Sequence, residues 1–243
     1  MQNYKDNNKN PLYLVKNKII ANDFPEITDA LKKPNGLLAI GGDLDETKLL
    51  SAYKKGIFPW YNEGDPIMWW SPNPRCILKP KKIHLSHSLK KNLRKKKFQI
   101  TFNKNYTNVI NQCSINRNQK TNSNLSKNNT WISEDIKKAF IGLHRSGYAH
   151  SVECWHNNEL VGGLYGIAMG KIFFGESMFS RMPDASKIAL VYLAKRLDEI
   201  NFQLIDCQVK SDHLLTLGAK LIKRKKFSKI LNNYCDYNKT VLK

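Results

Sequence analysis

The sequence predicts an α+β fold: a small N-terminal domain over residues 1–74, then a larger domain over 75–243 with a mixed β-sheet flanked by helices. Three observations carry this. Between residues 133 and 209 the pattern reads helix, three-strand meander, helix, strand, which is an α+β layer around one mixed sheet. The first 75 residues are instead dense in Gly, Pro and Trp. And 243 residues make one large domain or two small ones at roughly 150 residues each, long enough to bury a core without disulfides or metal.

In chain order, Gly36-Leu-Leu-Ala-Ile-Gly-Gly42 reads as a short buried strand or turn. Asp45 caps a helix over 46–55, with Leu49, Leu50 and Tyr53 on one face and Gly56 as its stop. Ile57–Tyr61 and Met68–Arg75 combine prolines with Trp60, Trp69 and Trp70, so both are extended and rigid. Ser86 or Ser88 starts a helix over 88–97, with Leu89 and Leu93 facing in and Lys90, Lys91, Arg94 and Lys95 facing out. Residues 116–129, rich in Asn, Ser and Lys, read as a surface loop. Ser133 caps a helix over 134–146 that Gly147 ends. Strands follow over 148–155, 160–169 and 171–175, the first two joined by a turn at His156–Glu159. A long helix opens at Asp184 or Ala185 and runs to Ile200, and 203–209 is the fourth strand.

Composition narrows the function. Lys and Arg total 40 against 20 acids, a net charge of +20; seven are Arg and 33 are Lys. This excess of cations calls for a polyanionic partner, nucleic acid before membrane. It concentrates in 79–97, which holds nine Lys or Arg and no acid. The first ten residues are polar, so no secretory signal is read there, and no apolar run approaches the ~18 residues of a membrane span. Five cysteines without C-x-x-C spacing fit neither a disulfide framework nor a zinc ribbon. The expectation is a soluble, reduced, cytoplasmic protein.

The element order is that of the acetyltransferase-like (GNAT) fold, which supplies a test. Acetyl-CoA enzymes place a glycine-bearing turn before the long helix, where backbone N–H groups hold the pyrophosphate. Here the turn is Ser180-Arg-Met-Pro-Asp-Ala-Ser186, without glycine and with an acid at Asp184. The expected donor is therefore not acetyl-CoA. His84 and His87 share helix spacing but lack a carboxylate or Cys partner, so no metal is expected; His213 reads as structural before catalytic. Glu176 and Asp206 stand out because each acid is embedded in apolar sequence on or at the end of a central strand. Each either caps a loop, pairs with Lys187 or Arg181, or works chemically. Period-2 alternation puts Asp206 and Gln208 on one face and Ile205 and Cys207 on the other.

These residues carry a resemblance. Gly36–Leu44, Gly56-Ile-Phe-Pro-Trp60, Trp69-Trp-Ser-Pro72 with Pro74-Arg75, Thr130-Trp-Ile132, Ala149-His-Ser-Val-Glu153, Gly162-Gly163 with Tyr165-Gly166, Phe174-Gly-Glu-Ser-Met-Phe-Ser-Arg-Met182, Ala185-Ser-Lys187, Leu204-Ile-Asp-Cys-Gln-Val209 and Asp212-His213 with Leu217-Gly-Ala219 resemble, collinearly, the bacterial leucyl/phenylalanyl-tRNA–protein transferases. The resemblance implies a small N-terminal domain and a GNAT-like domain that takes aminoacyl-tRNA in place of acetyl-CoA. It implies transfer of Leu or Phe, and sometimes Met, to proteins with N-terminal Arg or Lys, marking them for N-end degradation by a cytoplasmic monomer without cofactor or metal. Carried over residue by residue, Asp206 accepts or orients the acceptor's amine proton, Gln208 holds ester or amine, and Glu176 orients the aminoacyl end. Leu164, Phe173, Met178, Leu190, Leu193 and Ile205 match the side-chain pocket, Trp60 and Trp131 the adenosine site, and Lys90 and Lys91, beside Arg94 and Lys95, the acceptor-stem contacts. Departures are the long 116–129 loop, Asn129 for Gly, Ser211 for Asn, and Leu164 and Leu193 where Met and Phe occur.

Overall fold

The computed structural model describes residues 12–15, 24–115, 131–240 and 242. The Asn-rich stretch 116–129 and the polar first ten residues lie outside them. Two sheets form. The smaller contains β1 (Tyr13–Val15), β2 (Leu37–Gly41), β3 (Phe58–Pro59) and β4 (Met68–Trp70) in the order β1-β2-β4-β3. The Pro- and Trp-rich segments expected as extended loops are thus short strands: Phe58 pairs with Trp70 and Pro59 with Trp69. Helix α1 (Glu46–Lys54) lies between β2 and β3. Its cap forms as the sequence predicts, Asp45 accepting a hydrogen bond from the Lys48 N–H, and Gly56 follows it at φ +77°.

The larger sheet has seven strands: β5 (Arg75–Leu78), β6 (Gln99–Phe102), β7 (Ala149–His156), β8 (Glu159–Met169), β9 (Ile172–Ser180), β10 (Leu204–Gln208) and β11 (Lys220–Ile222). Their order is β11-β5-β10-β9-β8-β7-β6, and β9 with β10 is its parallel pair. The predicted meander is β7-β8-β9, turned at Asn157 and Asn158, both at positive φ. The third strand runs on to Ser180, past the expected Gly175, because β8 offers partners out to Gly162.

Helices α2 (His87–Arg94), α3 (Tyr106–Cys113), α4 (Glu134–Arg145), α5 (Ala185–Glu199), α6 (Asp212–Thr216) and α7 (Arg224–Tyr234) complete the fold. Ser86, not Ser88, caps α2, and Lys96 at φ +47° ends it sooner than 97. Alternate residues of the large sheet feed two cores. Phe174, Tyr165, Ile167 and Leu204 join the small sheet, α1, α3, α4 and α7 in one cluster. Phe173, Leu164, Ala168 and Ile205 join α5 in the other. No helix among the described residues is long and apolar enough to cross a membrane.

Gly166 marks where backbones come closest. A Cβ there would lie 2.1 Å from the Phe174 carbonyl oxygen and 2.6 Å from the Phe173 ring. Gly166→Ala should therefore destabilise the protein by at least the roughly 1–3 kcal/mol typical of overpacking. A urea-unfolding midpoint equal to wild type would contradict this close approach.

Candidate active site

Two β-bulges build the site. On β9, Gly175 pairs with Gly166 and Ser177 with Tyr165, leaving Glu176 as the extra residue. On β10, Asp206 pairs with Ile77 and Gln208 with Cys76, leaving Cys207 as the extra residue. A bulge bends its strand and re-aims side chains. Gln208 adopts φ +56°, a conformation uncommon outside glycine. The result brings the two strands' polar side chains together: Gln208 Nε2 donates to Glu176 Oε1 at 3.0 Å. Tyr53 of α1 donates its hydroxyl to the same oxygen at 2.8 Å.

Beneath this cluster lies a closed ion pair. Arg75 and Asp206 are both 0% exposed. Arg75 Nε donates to Asp206 Oδ1 at 2.8 Å and Nη2 to Oδ2 at 2.6 Å, the bidentate fork that only Arg can present. Its third arm, Nη1, donates to the Gly56 carbonyl at 3.0 Å. Phe58 and Phe227 face the guanidinium at 4.8 and 4.7 Å from their ring centroids. Asp206 Oδ1 also accepts the Gln208 backbone N–H at 3.0 Å, which holds the bulge. Neither Lys187 nor Arg181 partners either acid: Lys187 pairs with Asp184, and Arg181 bonds Gln112.

The two acids differ in kind. Glu176 is half-buried, and burial is the main cause that pushes its carboxyl up to about 8, with the Asp206 charge adding to it and the Tyr53 and Gln208 hydrogen bonds opposing it. Burial and the Glu176 charge together hold the Tyr53 phenol well above its usual value, so it remains a donor. A third buried acid, Glu153, is structural. It accepts hydrogen bonds from Thr101, Ser151 and the Lys104 and Asn105 N–H groups, fixing the turn that starts α3.

The six apolar residues expected to form a pocket share the α5-side core. Leu164, Phe173, Leu190, Leu193 and Ile205 are buried there, with Met178 packed against it. Trp60 is 44% exposed and tilts against Trp70, while Trp131 packs on the other core; no ring contact joins the two among the described residues. Lys90, Lys91, Arg94 and Lys95 are all exposed at α2, whose Leu89 is buried. Ahead of α5, Asp184 sits at φ +63°, accepts from Asn92 at 2.7 Å and pairs with Lys187 at 3.1 Å. Burial lowers His213, half-buried near Asp184 and Lys187. No trio of His, Cys, Asp or Glu among the described residues is placed to hold a metal.

Comparison with known proteins then decides the family. The family model described as leucyl/phenylalanyl-tRNA protein transferase matches residues 77–232, and the model of its N-terminal domain matches 42–73. The chain belongs to the leucyl/phenylalanyl-tRNA protein transferase family. It is 52% identical over 213 residues to the Nitrosomonas eutropha leucyl/phenylalanyl-tRNA–protein transferase, covering 88% of each chain. It is 51% identical over 214 residues to that of Cellvibrio japonicus, again covering 88% of each. Among solved structures, L-PGS from Bacillus licheniformis matches with a TM-score of 0.38 and 12% identity, over 72% of this chain and 54% of that one.

Within this transferase fold, sequence reasoning passed over two residues of the cluster. Tyr53 reads as ordinary helix core. Arg75 carried a usable signal: it is one of seven arginines in a chain with 33 lysines, set in the apolar run that opens β5.

Removing one partner of a buried ion pair strands the other. Arg75→Met should lower unfolding free energy by about 3–5 kcal/mol, and Arg75→Met combined with Asp206→Leu should recover most of it. Chemical denaturation checks both, and a single variant as stable as wild type would refute the pair's closure. Glu176 makes a pH-linked prediction. Its carboxyl ionises near 4.5 when unconstrained and near 8 in the folded protein. Between these values the folded state holds a proton that the unfolded chain has lost, so stability falls as pH rises through that window. Glu176→Gln removes this titration. Its stability relative to wild type should climb from about pH 5 to about pH 8; a flat difference would show that Glu176 titrates normally.

Proposed function

We propose that this chain transfers Leu or Phe from aminoacyl-tRNA to the N-terminal Arg or Lys of acceptor proteins, marking them for N-end degradation. The observation that carries the reading is family membership over both matched segments, joined to a polar cluster that abuts an apolar one. The fold reading is a GNAT-like domain over 75–243 behind a small domain over 1–74. It rests on the helix, meander, helix, strand order and on the parallel β9–β10 pair. The acyl-CoA alternative is disfavoured by the α5 N-terminus, where Asp184 stands with its carboxylate on Asn92 and Lys187.

The chemistry is aminolysis of an activated ester, so the protein's task is to orient an amine and relieve it of a proton. Asp206 is an anchor in this reading, because Arg75 occupies both its oxygens and the Gln208 N–H adds a third bond. It holds Gln208, and Gln208 with Tyr53 holds Glu176. The donor's side chain enters the cluster of Leu164, Phe173, Met178, Leu190, Leu193 and Ile205, and its terminal adenosine packs against Trp60 and Trp131. Lys90, Lys91, Arg94 and Lys95 follow the acceptor stem of the tRNA. Action as a cytoplasmic monomer belongs to the same reading.

The direct test is transfer of labelled Leu from its tRNA to a peptide with N-terminal Arg. Incorporation is expected, none into a peptide beginning with an acidic residue, and no acetyl transfer from acetyl-CoA. Absence of Leu transfer overturns the reading. The α2 cations make a separate prediction. Lys90→Ala with Lys91→Ala should raise the KM for aminoacyl-tRNA and flatten its log–log salt dependence by about 1.4–1.8. Because phosphates bind equally in ground and transition states, kcat should hold. An unchanged salt slope would place the stem elsewhere.

A further inference from the structure

We infer that the edge strand β11 and helix α7 form a second RNA-binding surface, on which Lys220, Lys223, Lys225, Lys226 and Lys229 hold the phosphate backbone of the aminoacyl-tRNA beyond its acceptor stem. The inference rests on the proposed function and adds to it a part of the RNA that α2 does not reach.

The cations here are set apart from those on other helices. Residues 213–235 hold six Lys or Arg and no acid. Arg224 is half-buried and serves the fold: its backbone N–H donates to Asn73 and its guanidinium to the Ser71 carbonyl. The other five are exposed lysines. None has an acid, a hydrogen-bond partner or an aromatic ring at its ammonium among the described residues. Elsewhere the helices neutralise their cations: Lys137 and Lys138 pair with Glu134 and Asp135 on α4, and Lys187 and Arg196 with Asp184 and Glu199 around α5. Residues 223–226, all cationic, instead occupy the cap and first turn of α7, where the helix dipole is already positive. Lys225 and Lys229 add an i,i+4 repulsion. This arrangement costs stability in the free protein, and a polyanion relieves it.

The surface continues the basic stretch that ends in α2. The His84 N–H donates to the Leu217 carbonyl at 2.9 Å, and Lys220 pairs with Ile77. Exposed Lys79 and Lys82 therefore stand between β11 and α2. The belt then turns a corner. Leu89 of α2 is buried in the α5-side core, while Phe227 and Leu231 of α7 are buried in the other core, and β11 is the sheet edge beside them. A duplex laid straight along α2 does not round that edge, so α7 meets a different part of the same RNA.

The chemistry selects RNA among possible partners. An acceptor with N-terminal Arg or Lys is a cation, which this field repels. A lipid surface calls for an apolar helix face to insert, and the apolar face of α7 is already packed in the core. The position suits a substrate: Ile222 pairs with Arg75, and Phe227 faces its guanidinium at 4.7 Å. RNA held on α7 is thereby registered against the ion pair that carries the bulge at Gln208.

The test is direct binding of Leu-tRNA as a function of salt, read by fluorescence anisotropy. Wild type is compared with Lys225→Ala, Lys226→Ala and Lys229→Ala combined. Each phosphate contact carries about 0.7–0.9 of log–log slope, so the slope should flatten by about 2.1–2.7 and Kd at about 0.1 M salt should rise about tenfold or more. Arg at the same three positions should restore both, because charge and not Lys itself is required. A short hairpin bearing only the acceptor stem should bind variant and wild type equally, whereas Lys90→Ala with Lys91→Ala should weaken both RNAs. The urea midpoint of the α7 variant should match or exceed that of wild type, since a repulsion is removed. An unchanged slope with full-length tRNA overturns the inference. So does an equal loss on the hairpin, or a loss of binding to anionic phospholipid vesicles with tRNA affinity intact. A wild type that binds tRNA through this surface but transfers no Leu overturns the functional reading instead.

Discussion

The Arg75–Asp206 pair is the constraint on which the rest of the site depends. It joins β5 to β10, reaches the end of α1 through the Gly56 carbonyl, and packs between Phe58 of the small sheet and Phe227 of α7. Four separate parts of the chain therefore converge on one guanidinium. Burying two charges costs several kcal/mol each, and their attraction offsets this only when the remaining donors and lone pairs are satisfied. Here they are: all three arms of Arg75 donate, and Asp206 takes a backbone N–H as well. That N–H belongs to Gln208, so the pair that closes the core also fixes the bulge that presents the site.

The neighbouring acids show how environment divides labour between identical groups. One carboxylate is locked into a charge pair; the other is half-buried against one phenol and one amide that share one of its oxygens. Only the second keeps an oxygen that no described residue engages. Tyr53 is the hinge of this arrangement, since it arises from α1 yet bonds Glu176 on β9. The small sheet's helix therefore contributes to the polar cluster of the large sheet, and one core cluster takes in both.

Much of this was legible in the sequence, and the reason is local. Asp45 and Ser133 cap their helices through the N–H three residues on, and Asn157-Asn158 turns its hairpin, because each signal acts within a few residues. Period-2 alternation separated Asp206 and Gln208 from Ile205 and Cys207 correctly: the former pair meets Arg75 and Glu176, the latter the α5-side core. The bulges were not legible, since one inserted residue leaves no mark on an apolar run. Nor was the partner of Asp206, which lies 131 residues away. The short elements β6, α3, α6, β11 and α7 went unread because tertiary contacts, not propensity, hold pieces of three to eleven residues.

An activated ester explains why so modest a site suffices. Aminolysis of such an ester needs no metal-strength polarisation, only an uncharged amine set against the carbonyl. Each demand then falls on a different part of the fold. In the proposed function, shape selection of the donor falls to the α5-side core, where a misplaced methyl is worth about 1–3 kcal/mol. Backbone attraction falls in that proposal to the exposed face of α2, a long-range term that salt screens. The acceptor amine is assigned there to the polar cluster on the bulged strands. The link between the first two is narrow: Leu89 anchors α2 in the core that α5 covers, and Asn92 ties it to Asp184 at the head of α5. The glycine-free turn that carries Asp184 therefore ties the basic helix to the helix that covers the apolar cluster.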